Sequence, residues 1–227
     1  ANMGKEGSIS FWKTLFQLKR IFYLIAIYTG FLYGSFLSFN YIATSYFIEK
    51  WYNGVSTKEA IHVAGEAMGL PFLIASIFIP FLGYACDKLH RKALSLFIAA
   101  ILSFLTFLMF IISTPTVGLV MYSISLSLAV SVIWPSITFV VPQRFLQIGL
   151  SITMSLINLC ASFFPFIVAY IHNTNKDFNI TLIFFLCTTL MCLVLSFMIV
   201  KEEKMKRYVD RDTVNIELGR SRLRYIV

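Results

Sequence analysis

The side chains able to do chemistry in the long uncharged stretches of this chain are hydroxyls, amides and an indole. Tyr33, Asn40 and Tyr41 fall in the first apolar run, Trp134 in the fourth, and Ser155 and Asn158 in the fifth. Asn and Ser can exchange hydrogen bonds with a polar solute, while Tyr and Trp can pack on its body. That is the chemistry of reversible binding. Bond-breaking chemistry lacks its usual parts. His62, His90 and His172 sit at the ends of apolar runs or between them, whereas a membrane-embedded Ser–His pair or zinc site needs histidine inside one. No phosphate-binding glycine loop is present, and Gly34-Ser35 reads as a close-packing pair. Cys86, Cys160, Cys187 and Cys192 have no zinc-like spacing and read as buried small residues. The expectation is a protein that is not an enzyme and uses no metal or cofactor.

The charges are rationed. None occurs between Glu66 and Asp87, or between Lys92 and Arg144, yet Asp87, Lys88, Arg91 and Lys92 crowd into six positions of GYACDKLHRK (83–92). The basic residues would hold such a connection at a membrane surface, and Asp87 could stabilise a neighbouring helix N-terminus.

These residues need elements that can carry them. The chain is 58% hydrophobic with 13% charged residues and a mean hydropathy of +0.79, too little charge to cover a soluble domain. Its apolar runs approach the ~20 residues that a bilayer-spanning helix requires and lack the alternation of barrel strands. The fold class expected is an all-α membrane protein, a six-transmembrane-helix bundle at 21–200. Its spans are 21–39 (with room to run on to Ile48), 63–86, 94–112, 117–141, 148–171 and 180–200. Residues 1–20 form an N-terminal segment and 201–227 a basic tail that could dock a protein partner.

Orientation follows from the basic residues, which short cytoplasmic loops retain. Of 19 Lys and Arg, only Lys50, Lys58 and Lys176 fall on one side. The other sixteen share the second side with both termini, which makes the termini and the 87–92 connection cytoplasmic. This bias, with a tail near anionic lipid, explains the net charge of +8 without any nucleic acid. On the opposite side, Asn179-Ile180-Thr181 forms a glycosylation sequon close to the sixth span. Glu66 reads as an interfacial residue rather than a proton site.

Polar groups are unevenly shared among the spans. The first, fourth and fifth are rich in Ser, Thr, Asn and Tyr, whereas the third and sixth are nearly pure hydrocarbon. Spans one, two, four and five are therefore expected to line a wet path, with three and six as the outer wall. Asn158 and Ser155 should face the bundle interior and share a cavity with Asn40, Tyr41 and Trp134. Gly30-x-x-x-Gly34 and Gly65-x-x-x-Gly69 should permit close helix approach, and Pro71, Pro80, Pro135 and Pro165 should bend their helices.

Gly83-x-x-x-Asp87-Lys88-x-x-Arg91-Lys92 resembles the signature loop of the major facilitator superfamily, with His90 where the family has glycine. IWPSITFVVPQRFLQ (133–147), SLINL (155–159) and YFIEKWYNGVSTKEA (46–60) are similar to its domain-containing protein 1 branch of lysosomal dipeptide uniporters. Met154 and Ile157 stand where that branch tends to place amides. The resemblance implies the C-terminal six of twelve spans, with an N-terminal six-span half as partner, in the same parent chain or a separate one. It also implies an endolysosomal membrane, a dipeptide or amino-acid-like small-molecule substrate, and a state-dependent role for the 83–92 loop. The alternative from another class is a non-transporting multi-pass subunit or scaffold.

Overall fold

The computed structural model describes residues 18–51, 57–89, 91–175 and 178–224. Six α-helices occupy them: α1 (Arg20–Trp51), α2 (Thr57–Leu89), α3 (Lys92–Ile112), α4 (Pro115–Val140), α5 (Leu146–Asn175) and α6 (Phe178–Arg224). A single 3-10 turn, Gln143–Phe145, separates α4 from α5. All six helices are long and apolar enough to cross a membrane. His90, which stands at the signature glycine position, and Lys176 lie outside the described residues, as do residues 1–17.

Helix ends follow local chemistry. Pro115 opens α4, where its missing N–H costs nothing. Val141 closes that helix by donating to the Ile137 carbonyl, and Pro142 cannot extend it. The four prolines expected to bend helices lie inside continuous ones. The first span runs well past Phe39, because Asn40, Tyr46 and Lys50 find partners within the bundle. The sixth continues into the tail as helix through Arg224.

The packing has an internal symmetry. Helix α1 lies against α5 and α6, α4 against α2 and α3, and α3 against α6, with lighter α1–α4 and α1–α2 contacts. Replacing each helix by the one three places along maps the main contacts onto themselves: α1–α5 becomes α4–α2, and α3–α4 becomes α6–α1. Successive membrane-crossing helices alternate in direction, so a shift of three inverts topology. The symmetry extends to exposure, since α1 and α4 are mostly buried whereas α2 and α5 are mostly exposed.

The core is aromatic. Phe39 touches Tyr46, Phe47, Phe107, Phe110, Tyr122 and Phe185, and Phe107 stacks on Phe185 at 5.1 Å. Direct hydrogen bonds tie the helices: Tyr28 donates to the Leu96 carbonyl (3.0 Å), Ser35 meets Thr188 (2.8 Å), and Ser103 meets Ser125 (2.7 Å).

Three expectations need correction. The serines of α4 do not line a wet path: Ser123, Ser127, Ser131 and Ser136 are buried and donate to their own helix carbonyls four residues back. That bond satisfies the hydroxyl within the helix, so these serines can sit in a dry core. Gly30 and Gly34 do seat α1 on α5, but Gly65 and Gly69 face open space among the described residues. Cys187 is exposed on α6, and Cys160 is half-buried in the α1–α5 seam.

Candidate functional site

Helices α1, α2 and α4 enclose a groove of about 260 Å³ lined by Tyr33, Phe36, Leu37 and Asn40 of α1, Phe72, Ala75, Ser76 and Ile79 of α2, and Tyr122, Leu126 and Val130 of α4. Spacings of three and four residues on α1 place its four lining side chains on one face. Trp134, one turn beyond Val130, donates from Nε1 to the Tyr33 hydroxyl at 3.2 Å. Tyr122 donates to the Phe36 carbonyl and to Oδ1 of Asn40, each at 3.2 Å.

The structure thus brings Tyr33, Asn40 and Trp134 together. Tyr41 is 73% exposed, one residue round the helix from Asn40, and does not line the groove. Ser155 and Asn158 do not face the bundle interior either; both are exposed on α5. The reason is the α1–α5 seam, which Leu156, Cys160 and Phe164 occupy from the other face of α5. On the outward face, Gln147, Ser151, Ser155, Asn158 and Ser162 recur at intervals of three and four, forming one exposed polar stripe. Ser151 and Ser155 donate to the Gln147 and Ser151 carbonyls, both at 2.9 Å. The Asn158 amide has no partner among the described residues.

Two groups escaped the sequence reading. Tyr122 was hidden among the serines of its span, although its hydroxyl fixes Asn40. Lys50, counted above only as a charge, reaches from α1 to the Phe110 and Ile111 carbonyls at 2.9 and 3.3 Å. It caps the C-terminal end of α3, where carbonyls lack helical partners and a cation is favoured. Tyr46 also donates to the Phe110 carbonyl.

At the 83–92 connection, Lys92 reaches Asp87 (3.9 Å) and the Pro135 carbonyl (3.3 Å), and stands 5.3 Å from the centre of the Phe139 ring. It links the ends of α2, α3 and α4. Gly83 lies against Ser131 of α4, with room for ordinary contact. Asp87, Lys88 and Arg91 are exposed. Asp87 is not the group at the α3 N-terminus. Glu203 takes that place, accepting from the Ala93 N–H at 3.2 Å, while Glu202 lies 3.8 Å from Arg20. Helix α6 packs along α3 and can deliver a carboxylate there, whereas Asp87 points outward from α2. At the opposite end, Asn179 is exposed but its sequon partner Thr181 is fully buried.

Among the described residues no three His, Cys, Asp or Glu side chains are grouped to hold a metal ion. Among the described residues no charged side chain lines the groove. What the arrangement can do is bind a solute through hydroxyl, amide and aromatic contacts. No protein-family model matches the chain, and no curated protein matches it either.

Proposed function

We propose that this chain is one six-helix half of an alternating-access solute carrier of the major facilitator type. It would move a small polar organic solute, dipeptide or amino-acid-like, across an endolysosomal membrane. In this reading both termini and the 87–92 connection are cytoplasmic, and a second six-span bundle covers the exposed faces of α2 and α5. The three-helix exchange symmetry supports the architecture, because six-span halves of this type contain inverted repeats of three.

The observation that carries the functional reading is the polar stripe on α5. An amide held in hydrocarbon without a partner costs several kcal/mol. The serines of the stripe offset much of that cost through their own helix carbonyls, but Asn158 does not. The outward side also presents Met154, Leu159 and Phe163, but the Asn158 amide among them suits water or a second protein surface rather than lipid tails.

Thiol labelling of the full-length protein in sealed vesicles tests this. Asn158→Cys and Ser155→Cys, in a background retaining only Cys187, should react with a membrane-impermeant reagent and be protected by solute. Cys187, on the outward face of α6, should stay unreactive. Folded protein in which Asn158→Cys resists the reagent from both sides would leave the stripe as a dry subunit contact and remove the support for a carrier.

A further inference from the structure

Building on the carrier reading, we propose that the groove between α1, α2 and α4 selects solutes with an elongated apolar body and reads hydrogen-bond acceptors on them. Asn40 and Tyr33 make the contacts, and Tyr122 is the positioning residue for Asn40.

Ser76 spends its hydroxyl proton on the Leu73 carbonyl at 2.8 Å. Tyr122 has one proton, directed at the Phe36 carbonyl and Asn40 Oδ1. The Tyr33 oxygen accepts from Trp134. The Ser76 and Asn40 oxygens keep acceptor lone pairs, and the protons still to be placed are the Asn40 amide N–H pair and the Tyr33 O–H. Neither has an acceptor among the described residues. The complementary ligand therefore offers acceptors, such as carbonyl or carboxylate oxygens.

Spacing gives the shape. Tyr33 and Asn40 are seven residues apart, which is about 10 Å along α1 at the helical rise. One small acceptor group does not reach both, so the contacts fall toward separate ends of the solute. Between and opposite them the wall is Phe36, Leu37, Phe72, Ile79, Leu126 and Val130. The groove offers about 260 Å³. That holds a body of side-chain size and is too small for a docked helix. A lipid chain would suit the walls but would leave Asn40 without an acceptor.

The test compares uptake of leucylleucine and glycylglycine by the full-length protein in proteoliposomes. Leucylleucine should show a KM about tenfold lower or better, since its side chains leave water for the apolar wall. Asn40→Ala should raise KM about tenfold for both solutes. Tyr122→Phe should raise KM by a smaller factor at unchanged kcat, because the amide loses its anchor while its donors survive. A purely structural role for Tyr122 would instead lower the amount of active carrier without moving KM. Val130→Thr, which keeps shape and adds a hydroxyl, should narrow the preference for leucylleucine even if the other variants fold poorly. Transport of both dipeptides with equal KM would overturn the selectivity and leave the carrier reading standing. So would transport with KM values insensitive to all three substitutions, the outcome expected of a lipid-filled groove. Absence of uptake of both solutes would remove the carrier reading and this inference with it.

Discussion

Adding one methyl group at Gly34 should destabilise the bundle, whereas the same change at Gly65 should not. A Cβ built at Gly34 falls 2.7 Å from the Cβ of Cys160 and 3.1 Å from two ring carbons of Phe164. Carbon atoms in contact prefer about 3.5–4.0 Å, so α1 and α5 must separate by several tenths of an ångström or more. Overpacking of this kind costs about 1–3 kcal/mol. Alanine returns up to about 1 kcal/mol of helix propensity, leaving a net loss of up to about 2 kcal/mol. At Gly65 nothing lies within 4 Å among the described residues, and only the propensity gain applies. Thermal unfolding of the detergent-solubilised chain should therefore separate two chemically identical substitutions by about 1–3 kcal/mol. The clash is with a Cβ, which makes the second site informative. Cys160→Gly should recover part of the loss in the Gly34→Ala background, while Cys160→Ser, which keeps the Cβ, should not. Equal effects at Gly34 and Gly65, or equal rescue by serine and glycine, would refute the α1–α5 seam.

Lys50→Met should cost about 1–2 kcal/mol in the same melt, because two carbonyls at the end of α3 lose a charged donor; Lys50→Arg should recover most of it. Asp87→Asn should change stability by less than about 0.5 kcal/mol, as expected for an exposed carboxylate 3.9 Å from its partner. A loss of transport at normal expression would then place the role of Asp87 in another conformation, and unchanged transport would reduce GYACDKLHRK to a basic connection. Single cysteines at Lys92 and Lys176 should label from opposite sides of the membrane, and labelling of both from one side would sink the six-span topology.

The spans themselves were legible because run length is a direct physical requirement of crossing a bilayer. Their faces were less so. Serine spacing in α4 fits a wet lining and a dry ladder of back-bonded hydroxyls equally well, and only the neighbours on α1, α2 and α3 decide. Ser125 illustrates this, since its partner Ser103 belongs to a span that reads as almost pure hydrocarbon. The same limit hid Tyr122. A tyrosine in an apolar run reads as core until its hydroxyl is seen to hold an amide 82 positions earlier in the chain. Gly30 and Gly65 open identical small-residue motifs, yet one meets a neighbouring helix and the other open space. No local pattern distinguishes them.

Asn158 and Ser155 failed the expectation of an inward face, but the manner of failure is informative. Their exposure is not a peculiarity of one helix, because α2, the helix equivalent to α5 under the three-place exchange, is exposed too. That helix also carries polar groups outward: His62 and Glu66 pair at 3.5 Å within its apolar span or at its edge, and Ser76 lies nearly three turns further in. Two symmetry-related helices thus present amide, hydroxyl, imidazole and carboxylate groups on surfaces that the described residues leave uncovered. The hydroxyls are bonded to their own helix carbonyls, but lipid tails cannot satisfy the Asn158 amide. A cover with hydrogen-bonding groups of its own, or water held between two protein walls, can. On the proposed function, the interior to which Asn158 belongs is that of the two-bundle carrier, while Tyr33, Asn40 and Tyr122 supply the part of the path built within this half.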